Sequence, residues 1–261
     1  MNQSDRVSDK LWVFGHPVNS LKGCAGLSGD SKVSPIEAMN DFGARNLFYV
    51  MMGRPADIVR YNEEAVSAAR IGWSVDGSVR LEDILAQAKV FPNIDRALFD
   101  NFFSAENSGN NWKKYSLQDL MNIRDRLHAA GLEMWVVYYT MQSDLDAGAY
   151  LELFDGVTFW FWDEPSNDYF DRSCEQFIRN TPGKKRLIGC YLYNFGQSRE
   201  ATADSVLHQL DREKDLIDAG LIDGIILHTN AVGGLGFGAY EAAKKWTDLH
   251  KDDFVKTVRP L

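Results

Sequence analysis

The stretch VTFWFWDE, residues 157–164, decides how the chain is interpreted. Six β-branched or aromatic residues stand in a row before two acids, which is typical of a strand that is buried on both faces of a sheet. Side chains alternate along a strand, so Thr158, Trp160, Trp162 and Glu164 fall on one side. The other side carries Val157 and the phenylalanines, which suit a covering helix. We therefore expect the Thr, Trp and Glu set to face the interior.

Seven further runs of this kind occur along the chain, and longer segments with helical periodicity separate them. Several of these segments begin with helix start signals, such as Ser34-Pro35 with Glu37, Asp57, and Ser116, and Gly131 is a stop signal. The eight predicted strands are residues 11–16, 46–52, 70–75, 96–103, 134–140, 157–162, 186–194 and 224–230.

Regular alternation of strands and helices predicts a parallel sheet, because each crossover helix returns the chain to start the next strand in the same direction. Eight units in a chain of 261 residues favour closure into a single (β/α)8 TIM barrel. An open, doubly wound sheet is the alternative. Residues 1–10 are interpreted as a polar N-terminal leader, and residues 11–261 as the barrel domain.

Composition restricts the partners. The formal net charge is −9, and no cluster of Lys or Arg stands out, so nucleic acid and anionic membranes are not expected to bind. No apolar stretch is long enough to cross a bilayer. Residues 1–10 do not resemble a secretory signal, which predicts a cytoplasmic protein; a secreted or periplasmic chain whose signal had been removed would look the same. The sequence does not give the oligomeric state.

Polar residues at the ends of the strands are the candidates for chemistry, because active sites of such barrels lie at the carboxyl ends of the strands. Asp100 in LFDNFFS and Glu164 in FWFWDE each follow an apolar strand directly. Two carboxyl groups in different surroundings can divide the roles of acid and base, since desolvation raises the pKa of one of them. We predict Asp100 and Glu164 as a catalytic pair. Asp163 is the alternative to Glu164.

Aromatic and polar residues around the same strand ends would suit a sugar, because flat side chains stack on pyranose rings while hydroxyl groups seek polar partners. Trp73 and Trp162 are predicted to stack. The residues predicted to orient hydroxyl groups are His16, Asp76, Tyr139, Tyr193, Asn194, His228 and Asn230.

A metal or cofactor is not expected. His16 and His228 end the first and last strands, which are neighbours in a closed barrel, and with an acid they could hold a divalent ion. However, no HxH, HExxH or Cys/His spacing supports such a site. The glycine-rich run at residues 233–238 lacks a nearby Lys or Arg, so a tight turn is favoured over a phosphate site. Three cysteines without a CxxC pair are interpreted as reduced thiols.

These features together resemble the barrel-type glycoside hydrolases as a broad group. The resemblance rests on Asp100 and Glu164 at strand ends with Trp and Tyr around them, and it implies hydrolysis of an oligo- or polysaccharide. The large group with two catalytic glutamates usually has Asn-Glu after strand 4 and Glu after strand 7. This chain has Asp100-Asn101 and Tyr193-Asn194 at those places.

The working hypothesis is therefore a glycoside hydrolase with a carbohydrate substrate. A carboxyl separation of about 5 Å would predict retention of configuration, and roughly 6.5–9.5 Å inversion. Two alternatives stay open. A sugar isomerase, epimerase or lyase would need a metal or a Lys or His base, and a non-catalytic carbohydrate-binding barrel would bind sugars without turnover.

Overall fold

The computed structural model describes residues 5–52, 54, 57–75, 79–103 and 112–256. Its barrel strands are β1 (Leu11–Gly15), β2 (Asn46–Tyr49), β3 (Arg70–Ser74), β4 (Ile94–Phe99), β5 (Glu133–Tyr139), β6 (Gly156–Trp160), β7 (Lys185–Tyr191) and β10 (Gly224–His228). A short antiparallel hairpin, β8 (Tyr193–Asn194) and β9 (Arg199–Glu200), follows β7.

The helices lie between the strands. They are α1 (Val7–Lys10), α2 (Pro35–Asp41), α3 (Ile58–Glu64), α4 (Leu81–Ala88), α5 (Leu117–Ala129), α6 (Gly148–Leu151), α7 (Asn167–Asn180), α8 (Ala203–Asp218) and α9 (Gly238–His250). No helix of the described ranges is both long and apolar enough to cross a membrane.

Eight parallel strands close into a barrel in the order β1-β10-β7-β6-β5-β4-β3-β2. Closure is made by β1 and β10, where Leu11 pairs with Ile225 and Val13 with Leu227. The prediction of a single (β/α)8 TIM barrel is confirmed, and an open sheet is excluded.

The predicted start signals are real helix caps. The Ser34 hydroxyl accepts a hydrogen bond from the Glu37 amide, and the Glu37 carboxylate accepts one from the Ser34 amide. Ser116 and Asp119 form the same capping box, and Asp57 caps α3. Gly131 follows α5 with a φ of 75°, a left-handed conformation that glycine adopts without strain.

The barrel interior is filled by aromatic rings set against glycines. Phe48 lies opposite Gly72, Trp135 opposite Gly156, and Trp160 opposite Gly189 in the register of neighbouring strands. At Gly189 a Cβ atom would lie 2.1 Å from the Trp160 ring, so only glycine leaves room for that ring. The aromatic residues and the glycines thus fit each other strand by strand.

The amino-terminal end of the barrel is closed by a buried cation. Arg96 is 2% exposed, and its guanidinium lies 4.4 Å from the Trp12 ring centre and 4.6 Å from that of Trp135. Its nitrogen atoms also donate to the Asp95 carboxylate at 2.7 Å. Stacking between two indoles and pairing with an acid together compensate for the burial of this charge.

The first and last segments of the described chain meet near this closed end. Arg6 bridges to Phe254 in an antiparallel pair, and the Val7 amide donates to the Asp253 carbonyl. Val7 is fully buried. The segment before β1 is therefore packed against the segment that follows α9.

Every barrel strand ends one to four residues before its predicted end, and the differences are largest at β2, β4 and β7. Strand β4 ends at Phe99, and residues 100–103 turn away from the barrel. Strand β7 ends at Tyr191, and Tyr193 and Asn194 pair with β9 instead. Both runs stay apolar past the barrel rim, so hydrophobicity alone does not mark where the parallel ladder ends.

Candidate active site

A cavity of about 100 Å³ opens at the carboxyl ends of the barrel strands, and we call it the central cavity. Six residues supply its polar groups, and each lies at the end of, or just after, a barrel strand: His16, Asp100, Asn101, Tyr139, Tyr191 and His228. Its remaining walls are mostly apolar, with Phe14, Leu21, Cys24, Met52, Trp162 and Phe195.

Two histidines in the floor of the central cavity contact each other. The Nε2 atoms of His16 and His228 are 2.9 Å apart, and His16 Nδ1 lies 3.0 Å from the Val50 carbonyl oxygen. A carbonyl can only accept, so His16 Nδ1 carries a hydrogen. In neutral rings, His16 Nε2 must then accept from His228 Nε2. His228 Nδ1 is left without a hydrogen, and it has no partner among the described residues.

Burial keeps this histidine pair uncharged. It lowers the pKa of His16 to about 4, because a charged ring would lose its hydration, and the bond to Val50 opposes this only in part. Burial also lowers the pKa of His228 well below its usual value, and the neighbouring His16 adds to the effect. Both rings are therefore neutral hydrogen-bonding groups near pH 7.

Two tyrosines form one wall of the central cavity. The hydroxyl groups of Tyr139 and Tyr191 lie close enough to influence each other's pKa. Burial raises the pKa of both hydroxyl groups, and the negative charge of nearby Asp100 raises both further. The hydroxyls stay protonated and can donate to a ligand or to a developing negative charge.

Asp100 is held at the cavity edge by the backbone that follows it. Its carboxylate accepts a hydrogen bond of 2.8 Å from the Asn101 amide and one of 3.2 Å from the Asn101 side chain. Asn101 has a φ of 55°, in the left-handed region. The sharp turn after β4 therefore fixes the carboxylate beside the two tyrosines.

Backbone strain concentrates at this end of the barrel. Among the described residues, the positions other than glycine with positive φ are Asn19, Ala25, Met52, Asn101 and Ser198. All of them lie in loops that follow β1, β2, β4 or β7. Such conformations cost about 1–3 kcal/mol each and cluster at functional sites. Met52 and Asn101 border the central cavity itself.

A wider cavity of about 420 Å³ adjoins the central one, and we call it the outer cavity. Asn101, Tyr139 and Trp162 border both, so the two spaces adjoin at these side chains. Phe103, Met141, Gln142 and Leu145 complete the outer wall. A ligand longer than one small ring could extend from the central cavity into this space.

Asn230 ties the first and last strands together rather than facing the cavity. Its side chain accepts from the His16 amide at 3.0 Å and donates to the His16 carbonyl at 2.9 Å and to the Val33 carbonyl at 3.1 Å. The Tyr193 hydroxyl similarly donates to the Ala25 carbonyl, joining the loops after β7 and β1. These two predicted ligands for hydroxyl groups are already bonded to the backbone.

Glu164 and Asp100 border different cavities. Glu164 lies in a small cavity between the end of β6 and α8, together with Asp163 and Asn194. Its carboxylate contacts Arg199 Nη2 at 2.5 Å and the amide and hydroxyl of Thr202, the cap of α8. Despite partial burial, these contacts lower the pKa of Glu164. The alternation along β6 holds as far as Trp162, and the chain then bends away from the strand direction.

The other predicted ligands fall outside the walls of the central and outer cavities, or outside the described residues. Trp73 is buried between the barrel and α3, where its Nε1 donates to Asn62 and its ring lies 4.6 Å from that of Tyr49. The Asn194 side chain accepts from the Gln197 amide within the loop after β7. Asp76 lies outside the described residues.

Sequence reasoning did not include Tyr191, Phe195, Cys24 and Met52 among the site residues. Tyr191 ends β7 on the interior side and could have been found by the alternation used for β6. The other three lie in loops whose approach to the cavity depends on tertiary packing. Within the described ranges, no group of three or more His, Cys, Asp or Glu side chains is arranged to hold a metal ion.

Solved structures similar to this chain are TIM-barrel enzymes of different activities. A chitinase from Chromobacterium violaceum ATCC 12472 has 14% identity and a TM-score of 0.57, covering 92% of this chain and 98% of its own. A GH30 endoxylanase from Clostridium papyrosolvens C71 has 10% identity and a TM-score of 0.55, covering 95% and 74%. Tryptophan synthase from Pyrococcus furiosus has 11% identity and a TM-score of 0.50, covering 94% and 98%.

The likeness shows the fold. Two of these three structures are barrel-type glycoside hydrolases, as the sequence resemblance suggested, and the third is not a hydrolase. No protein-family model matches the chain, and no curated protein matches it in sequence.

Proposed function

We propose that this chain is a carbohydrate-active enzyme, a glycoside hydrolase, whose reaction takes place in the central cavity. One observation carries the proposal: Asp100 and the neighbouring tyrosines Tyr139 and Tyr191 share a cavity with aromatic walls at the carboxyl ends of the barrel strands. This is the end at which barrel enzymes bind substrate and perform chemistry. The chitinase and the endoxylanase of the same fold are consistent with it.

Glycosidic cleavage needs a proton for the leaving oxygen and a nucleophile or activated water at the anomeric carbon. In this proposal the Asp100 carboxylate accepts the proton of the water that attacks the anomeric carbon, and Tyr139 and Tyr191 donate hydrogen bonds to substrate oxygens. Trp162 offers a flat face at the junction of the two cavities. Glu164 can be the second acid only if its contacts with Arg199 and Thr202 open.

The test compares three variants, in each of which one carboxylate side chain is replaced by the corresponding amide. The unmutated protein is first assayed for release of reducing ends from a broad glycan panel. We expect Asp100→Asn to lower turnover by at least about a hundredfold, a typical loss when a positioned proton-transfer group is removed. Glu63→Gln, which changes an exposed carboxylate on α3, is the control and should retain full activity.

The Glu164→Gln variant decides the second role. A loss of turnover as large as that of Asp100→Asn in a folded protein would support the predicted acid pair. Unchanged turnover would assign Glu164 to the scaffold. If the unmutated protein binds sugars but releases no reducing ends, the hydrolase proposal fails and a non-catalytic carbohydrate-binding barrel replaces it.

A second candidate is a sugar isomerase, epimerase or lyase, and it is favoured by His228. The hydrogen-bond pattern leaves His228 Nδ1 without a hydrogen, but the atom is buried, so it could act as a base toward a substrate C–H group only after a movement that exposes it. Such an enzyme would convert sugars without releasing reducing ends. Chromatography of the same reactions for isomerised or unsaturated products separates the two candidates.

A further inference from the structure

The described walls of the two adjoining cavities carry a negative charge and no lysine or arginine. Among the described residues that border them, Asp100 is the one carboxylate, and none is a Lys or Arg. The stretches that follow β2, β3 and β4 in the sequence and lie outside the described residues are 53, 55–56, 76–78 and 104–111. Their charged residues are Asp76 and Glu106, and they contain no Lys or Arg. An anionic ligand would therefore meet a carboxylate and no lysine or arginine in the described wall.

The histidine pair does not supply a compensating positive charge. One hydrogen lies between the two Nε2 atoms at 2.9 Å, and His16 Nδ1 is committed to the Val50 carbonyl. A second hydrogen at the Nε2 contact would set two N–H groups against each other, so the contact itself resists protonation. His228 Nδ1 is buried, and a charge there would be poorly hydrated.

Arg54, which follows β2, is not a cavity cation either. Its guanidinium donates to the Ser20 carbonyl at 2.8 Å, within the loop after β1, and it does not border either cavity. The side chain is thus used to fasten one loop of the rim to another.

We infer that the central cavity selects uncharged sugar units and excludes acidic ones, with Asp100 and the His16–His228 pair as the specificity determinants. This inference rests on the proposed function and adds the substrate class. A sugar carboxylate would come close to Asp100 in a partly desolvated space, where like charges repel more strongly than in water. The tyrosine hydroxyls can instead bind the hydroxyl groups of a neutral sugar, and the neutral histidine pair adds no positive charge that would attract an acid.

The experiment compares matched sugars that differ only in oxidation at C6. The methyl glycosides of glucose and glucuronic acid, and of galactose and galacturonic acid, are titrated by calorimetry at pH 7 and low ionic strength. We expect the neutral member of at least one pair to bind at least about tenfold more tightly than its acid. Added salt should narrow this gap, because it screens the repulsion from Asp100.

Two variants test whether Asp100 causes the difference in affinity between neutral and acidic sugars. Asp100→Asn should reduce the difference in affinity between the neutral and acidic sugars, whereas Glu63→Gln should leave that difference unchanged. If Asp100→Asn does not fold, the salt dependence of the unmutated protein provides the same test. A gap that persists in folded Asp100→Asn would overturn the role of Asp100.

The possible failures are distinguishable. Equal or tighter binding of the acidic sugar would overturn the selectivity while leaving carbohydrate binding, and with it the proposed function, in place. Absence of binding by neutral and acidic sugars together, and by the glycans of the activity panel, would overturn the proposed function and this inference with it.

Discussion

The Nε2 atoms of His16 and His228 lie 2.9 Å apart, although 212 positions separate the two residues in the chain. They meet because β1 and β10 pair to close the barrel. The contact is therefore a product of closure, and it lies in the floor of the central cavity. Fold and candidate site depend on the same pair of strands.

The histidine pair should make stability depend on pH. Burial lowers the pKa of His16 from about 6.5 to about 4, so between these values the unfolded chain binds a proton that the folded protein does not. Stability is then lost as the pH falls from about 6.5 toward 4, with a slope that approaches about 1.4 kcal/mol per pH unit for each histidine. Urea unfolding at pH 7, 6 and 5 measures this slope of the free energy of unfolding against pH.

The matched variants are His16→Asn and His208→Gln. Asparagine at position 16 retains a side-chain N–H for the Val50 carbonyl but cannot be protonated, so the pH slope should decrease. His208 lies on α8, outside the pair, and its replacement should leave the slope as it was. An identical slope in all three proteins would contradict the assignment of neutral, buried histidines.

Much of the fold follows from local sequence. Caps such as Ser34 and Ser116 are short-range features, and the apolar runs show each strand because parallel strands are covered on both faces. The alternation of side chains along a strand was enough to predict that Trp160 and Trp162 face the interior. Asp100 was found because β4 places it at the carboxyl end of the barrel.

The remainder depended on tertiary contacts. Trp73 lies toward α3 because the indole N–H reaches Asn62, a partner that no local pattern indicates. Glu164 follows a bend after β6, where alternation no longer applies, and Arg199 and Thr202 from the next loop bind its carboxylate. Arg96 looks like a charge interrupting a strand, yet two indoles from β1 and β5 enclose it.

The fit between Trp160 and Gly189 should be sensitive to a single methyl group. Gly189→Ala would place Cβ 2.1 Å from the indole of Trp160, which is 1% exposed and packs against Phe14 and Tyr191. We expect a loss of about 1–3 kcal/mol in the free energy of unfolding, the usual range for overpacking. Gly148→Ala is the control, because nothing lies within 4 Å of a Cβ there. Equal melting temperatures of the two variants would be inconsistent with this packing.

Glu213 should destabilise the protein at neutral pH. It is fully buried on α8, its Oε1 accepts from Gln209, and its Oε2 has no partner among the described residues. Burial raises its pKa well above the usual value, so the folded protein keeps a proton that the unfolded chain releases above about pH 4.5. Stability from this group is present below pH 4.5 and is lost as the pH rises toward the folded-state pKa.

Glu213→Gln removes this ionisation while keeping the acceptor for Gln209. The variant should gain stability relative to the unmutated protein at pH 7, and the gain should shrink as the pH approaches 4. Glu63→Gln, on the exposed face of α3, should show no such pH-dependent difference. Thermal unfolding from pH 4 to 8 measures all three, and a constant difference across this range would argue against a buried, protonated Glu213.

The contact between Glu164 and Arg199 separates a scaffold role from a catalytic one. The Glu164 side chain is 12% exposed and that of Arg199 43%, so solvent screens the pair in part and we expect a coupling of about 1 kcal/mol or less. A double-mutant cycle with Glu164→Gln and Arg199→Met measures that coupling from unfolding free energies.

The same four proteins, the unmutated chain, the two single variants and the double variant, are assayed for turnover. A scaffold role predicts stability coupling with turnover unchanged in both single variants, because neither residue borders the central cavity. A catalytic role predicts that Glu164→Gln abolishes turnover while Arg199→Met retains most of it, since only the carboxyl group would exchange a proton with the substrate.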